Sequence, residues 1–85
     1  MNREIIHIKK AGKLVAMSPS WQYWVMDGVL YSVNSSGMSF NVWCSISQLE
    51  EHLHRLYQIT GSRFFTNSPR MQIVDKAFIS QFSYA

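Results

Sequence analysis

The hydrophobic pattern of the chain changes period once, near Ser45. Before that point apolar residues come in short blocks and alternations, as in strands. After it they recur every three to four positions, as along a helix. Trp21 to Val33 carries the strongest local signal. Asp27-Gly28 supplies the positive φ values of a two-residue type I′ hairpin turn. That turn pairs Met26 with Val29, Trp24 with Tyr31 and Gln22 with Val33, which places these residues on one face. Trp21, Tyr23, Val25, Leu30 and Ser32 fall on the other.

Asn34-Ser35-Ser36-Gly37 reads as a second turn. A four-residue loop there pairs Val33 with Met38, Tyr31 with Phe40 and Val29 with Val42. Met38, Phe40, Val42 and Cys44 then join the face of Trp24, Met26 and Tyr31, which completes a three-stranded meander. Upstream, the β-branched content of Ile5, Ile6, Ile8 and Val15 predicts a first hairpin over Glu4–Met17, turning at Lys10-Ala11-Gly12.

Ser45 with Gln48 three residues on has the form of a capping box, with Cys44 and Leu49 as a staple. Leu49, Leu53, Leu56 and Tyr57 form the apolar stripe of the helix that follows. Glu51 and Arg55 sit at i,i+4 in the favourable orientation, and Gly61 closes the helix. Met71, Val74, Phe78 and Phe82 predict a further helix behind Ser68-Pro69. Gln72-Ile73-Val74 and Phe78-Ile79 would also suit strands.

The expected fold is therefore α+β: one domain over residues 1–85, with a small antiparallel β-meander and an N-terminal hairpin. The meander packs on one central α-helix, and a short C-terminal helix follows. The expected core is Trp24, Met26, Tyr31, Phe40, Val42, Leu49, Leu53 and Leu56. Which sheet face the N-terminal hairpin joins stays open.

Composition narrows the function classes. At 85 residues, with 47% hydrophobic and 14% aromatic content, the chain is globular in type rather than disordered. Charged residues make up only 15%, against a usual value of about 25%, so apolar surface must be hidden in a core, a dimer or a partner. No apolar run reaches the roughly 18 residues of a membrane span. The single cysteine forms no internal disulfide, and the chain reads as cytoplasmic.

Chemistry-bearing constellations are absent from the pattern. His52 and His54 are two apart on the helix and diverge, whereas a helical metal pair needs i,i+4 spacing. Cys44 falls on the apolar face, where an inert buried thiol is expected. No Gly-rich phosphate loop and no paired acids occur. The expectation is a non-enzymatic protein, with no catalytic or metal residues and no cofactor.

Two surfaces remain as candidates. Trp21, Tyr23 and Trp43 share the back of the meander with Asn41 and small polar residues, a composition that suits recognition surfaces. On that basis the chain is expected to bind another protein through Trp21, Tyr23, Trp43 and Asn41. It would act as an inhibitor or adaptor, of the kind that phages and mobile elements encode against host proteins. If the N-terminal hairpin or the last helix covers that face, it is instead a second core layer. A homodimer seamed along the aromatic face or a sheet edge is compatible with either.

The alternative is nucleic-acid binding. The net charge of +3 is concentrated early, in Arg3, Lys9, Lys10 and Lys13. Lys9, Lys10 and Lys13 would supply the electrostatic part, and the aromatics would stack bases. The order of three strands and a helix over Trp21–Ile59 resembles the arm-site-binding domains of phage integrases, which implies a sheet laid in the major groove. The three strands here carry no Lys or Arg, a departure from that pattern.

Overall fold

A computed structural model describes residues 2–85. The elements run α1 (Arg3–Ala11), β1 (Lys13–Met17), β2 (Trp21–Met26), β3 (Val29–Asn34), β4 (Phe40–Ser45), α2 (Leu49–Thr60), β5 (Gln72–Ile73) and α3 (Lys76–Ile79). The five strands form one antiparallel sheet in the order β4-β3-β2-β1-β5. The α+β class and the meander of β2, β3 and β4 are as expected from the sequence.

The β2–β3 hairpin has the expected register, Met26 with Val29, Trp24 with Tyr31 and Gln22 with Val33. Asp27 and Gly28 hold φ of 52° and 73°, the left-handed pair a type I′ turn requires. The next connection is two residues longer than expected, and Val33 faces Phe40 rather than Met38. Asn34 causes this. Its Oδ1 accepts from the Ser36 N–H and hydroxyl, and its own N–H donates to the Ser39 carbonyl. A shift of two preserves the side-chain alternation, so Phe40 and Val42 keep the face assigned to them. A bulge at Trp43 then ends the alternation and puts Cys44 opposite Leu30.

The N-terminal segment is a helix, not the first arm of a hairpin. Asn2 caps it, its side chain accepting from the Glu4 N–H at 2.8 Å. Glu4 in the first turn and Lys9 and Lys10 in the last suit the helix dipole. Ile5 and Ile8, three apart, are buried, while Ile6 and His7 face solvent. Helical burial of two isoleucines outweighs the weak strand preference of the Ile5–Ile8 run.

Apart from Cys44, which the bulge carries to the Leu30 core, the two residue sets of the sheet are those expected, but the central helix covers the other one. Helix α2 and the C-terminal segment pack on the face of Tyr23 and Leu30, not on that of Trp24, Met26 and Tyr31. Leu49 and Leu53 meet Val15, Tyr23, Leu30, Phe65 and Ile79 in the larger core. The smaller core lies on the opposite face, where Ile5 and Ile8 of α1 meet Val33, flanked by Trp24, Met26, Tyr31 and Phe40. Of the expected core, Leu49 and Leu53 are fully buried, while Val42 is 62% exposed.

A short 3₁₀ turn, Ile46–Gln48, precedes α2, and Ser45 makes no side-chain cap bond there. Gly61 closes α2 with φ of 73°, and Arg55 pairs with Glu51 at 2.7 Å. The tail contains a two-residue strand on β1 and the four-residue α3, where the sequence pattern suggested a longer helix. Asp75 divides them. Its Oδ1 caps α3 by accepting from the Phe78 N–H at 3.0 Å, and its Oδ2 lies 2.7 Å from Lys13 Nζ. The bond from Lys13, then that from Phe78, holds the Asp75 carboxyl below the usual carboxylate range. Glu50 ties the tail to α2, both carboxylate oxygens accepting from the Ser83 N–H.

Candidate functional site

The aromatic face expected to bind a partner is partly covered. Tyr23 is 5% exposed. Its ring meets Trp43, Phe64 and Phe65 edge to face, each at 5.6 Å between centroids. Trp21 and Trp43 are half-buried against the same core. Burial raises the Tyr23 phenol above its ordinary pKa. Buried among these rings, Tyr23 offers no face to a base or a partner side chain. Only Asn41 of the four residues is exposed. Covering by α2 and the tail, Phe64 and Phe65 included, turns this surface into the main core.

The lysine cluster is divided. Lys9 and Lys10 are exposed in the last turn of α1, whereas Lys13 is engaged by Asp75. The three histidines also separate. His7 lies on α1, His52 packs on Trp43 at 5.1 Å and His54 stacks on Tyr84 at 4.3 Å. Among the described residues no group of three or more His, Cys, Asp or Glu side chains could hold a metal ion.

Cys44 opens into a small cleft of about 140 Å³ shared with Gln48, Glu51, His52 and Arg55. Burial pushes its thiol pKa up, away from the reactive thiolate. Glu51 is committed to Arg55.

The sheet's other face is only partly covered. A nine-residue helix is about 14 Å long and 10–12 Å wide, and α1 packs on β2. Strand β4 lies two strand spacings away, about 10 Å. Between α1 and β4 runs a groove of about 450 Å³, floored by Ile8, Met26, Tyr31, Phe40 and Val42. Arg3, Glu4 and His7 of α1 form its polar wall. Its outer lip is the free edge of the sheet, where Val42 is 62% and neighbouring Met38 77% exposed.

No charged residue occurs between Asp27 and Glu50, so β3, β4 and their loop present a wholly uncharged rim. Sheet edges are ordinarily guarded by lysine, proline, inward-facing charge or a bulge, and of these β4 has only the bulge at Trp43. The sequence pattern had Tyr31, Phe40 and Val42 in the core. The signal for the exposure of Val42 and the incomplete cover of Tyr31 and Phe40 was the small size of the helix over them, which the strand reading of residues 5–8 concealed.

No family model, curated protein or solved structure matches this chain.

Proposed function

We propose that this chain is a small non-enzymatic binding module that takes an apolar segment of another protein into the groove between α1 and β4. The observation that carries this reading is the apolar groove itself, opening on a free, uncharged strand. Contiguous exposed apolar surface of this kind marks interaction sites. The α1 wall of the groove is polar, so that an apolar floor is bordered on one side by groups that stay wet. The raised Cys44 thiol and the commitment of Glu51 to Arg55 support a non-enzymatic role. Burial of Tyr23 and pairing of Lys13 with Asp75 weigh against the nucleic-acid reading.

The test is capture from nuclease-treated lysate of the source cell, with two variants beside the wild type. Val42→Asp puts a charge at the groove lip, on a side chain exposed enough to spare the fold. It is expected to lower recovery of the bound protein about tenfold or more, a difference of about 1.4 kcal/mol. Ile59→Asp alters an apolar side chain 81% exposed on α2 and is expected to leave recovery unchanged. Equal recovery with both variants, or a catch removed by nuclease, contradicts the proposal.

A further inference from the structure

The hydrogen-bond ladder fixes which main-chain groups of β4 face outward. Asn34 N–H donates to Ser39 O, and at the other end Ile46 N–H donates to Gly28 O. Antiparallel pairs alternate between bonded and non-bonded. Asn41 is therefore bonded to Ser32, while Phe40 and Val42 stand opposite Val33 and Tyr31 as non-bonded pairs. The N–H and C=O groups of Phe40 and Val42 point away from β3, into the open edge.

We propose that β4 pairs antiparallel with β4 of a second copy, about a two-fold axis through Asn41, so that the two sheets become one. In this register Phe40 exchanges two main-chain bonds with Val42 of the second copy, and Val42 does the same with its Phe40. Each exchange sets an aromatic side chain against a β-branched one on the groove face, a favourable cross-strand pair. Asn41 meets its own symmetry mate on the other face, at the close approach of a non-bonded pair.

Neighbouring registers fit less well. Centring on Val42 would set Phe40 against Cys44, past the bulge at Trp43. Centring on Phe40 would set Val42 against Met38, which lies in the loop before the strand. Only the Asn41 centre uses regular strand throughout. The edge being uncharged, no ion is desolvated when two copies meet.

The pairing is short, with only Phe40 and Val42 of each strand exchanging main-chain bonds, and short contacts sit at the weak end of interfaces. Association is therefore expected at concentrations on the order of 10–1,000 μM. A two-fold axis perpendicular to the sheet keeps both α1 helices on the same side. The two grooves then open toward each other over Phe40 and Val42 of both copies. The pairing shares Phe40 and Val42 with the groove, so its test alters Asn41, which lies outside the groove, and the failure of one reading is distinct from the failure of the other.

Sedimentation velocity over a concentration series tests it, using Asn41→Asp and Asn41→Lys with circular dichroism to confirm folding. The wild type is expected to move from 9.9 kDa toward twice that mass as concentration rises toward about 1 mM. Each variant alone sets like charges in contact across the axis and is expected to stay monomeric. Mixed in equal amounts, the two are expected to associate again. Wild-type protein that stays monomeric to about 1 mM, variants that associate as the wild type does, or a mixture that fails to recover association each overturn the proposal.

Discussion

Replacing Phe65 with alanine is expected to cost roughly 3–5 kcal/mol of folding stability, a large part of what a domain this size holds. At about 0.05–0.15 kcal/mol per residue, 85 residues correspond to roughly 4–13 kcal/mol. Phe65 is 1% exposed, and its ring packs edge-on to both Tyr23 and Phe64. Its removal leaves a cavity bounded by the sheet, α2 and the tail, three elements that cannot all close on it at once. Urea unfolding followed by circular dichroism measures the loss, with Val42→Ala as the exposed control expected within about 0.5 kcal/mol of the wild type. A Phe65→Ala cost below about 1 kcal/mol would show that the aromatic cluster is not the core.

Gly12→Ala is expected to destabilise by about 1–3 kcal/mol, against the usual direction for this change. Gly12 follows α1 directly, its N–H donating to Ile8 O at 2.7 Å, and its φ of −93° is open to any residue. With conformation no obstacle, alanine would ordinarily stabilise by about 0.4–1 kcal/mol through the unfolded chain. Space reverses the sign. A Cβ there would lie 2.5 Å from Ile8 O and 3.0 Å from Val25 O. Both are main-chain atoms, one in α1 and one in β2, so relief requires α1 to lift from the sheet. The expected signature is a lower urea midpoint together with faster amide exchange in α1. Stability at or above that of the wild type would mean that α1 is not held where the structure has it.

Legibility in the sequence followed the range of the interactions. The β2–β3 hairpin is written in two adjacent residues, Asp27 and Gly28, and its register came out as expected. Gly61 and the Glu51–Arg55 pair are equally local. The Asn34 loop was misjudged by two residues because a side chain bonding its own backbone adds length that turn residues alone do not reveal. What covers each sheet face was not legible, since apolar residues occupy both. Five of the six β2 residues, Trp21 and Tyr23 to Met26, are apolar. A strand apolar on both faces is one buried on both, and that density was the available sign of a third layer. The strand preference of Ile5, Ile6 and Ile8 hid the helix supplying it. The burial of Tyr23 within the expected site was hidden for the same reason. Large aromatics among small polar residues mark a recognition surface only when no other element covers them. The open groove was visible only with α2 on the Tyr23 face and the short α1 on the Trp24 face.

The central claim is that β4 is a free edge strand, with Phe40 and Val42 turned to the groove side and Asn41 bonded inward. Residue-resolved amide exchange in dilute solution tests it most directly. The Asn41 N–H, bonded to Ser32, is expected to exchange slowly, and those of Phe40 and Val42 fast. The opposite pattern, with Phe40 and Val42 protected and Asn41 open, would mean a one-residue slip of β4. That slip would carry Phe40 and Val42 to the other face and remove the groove.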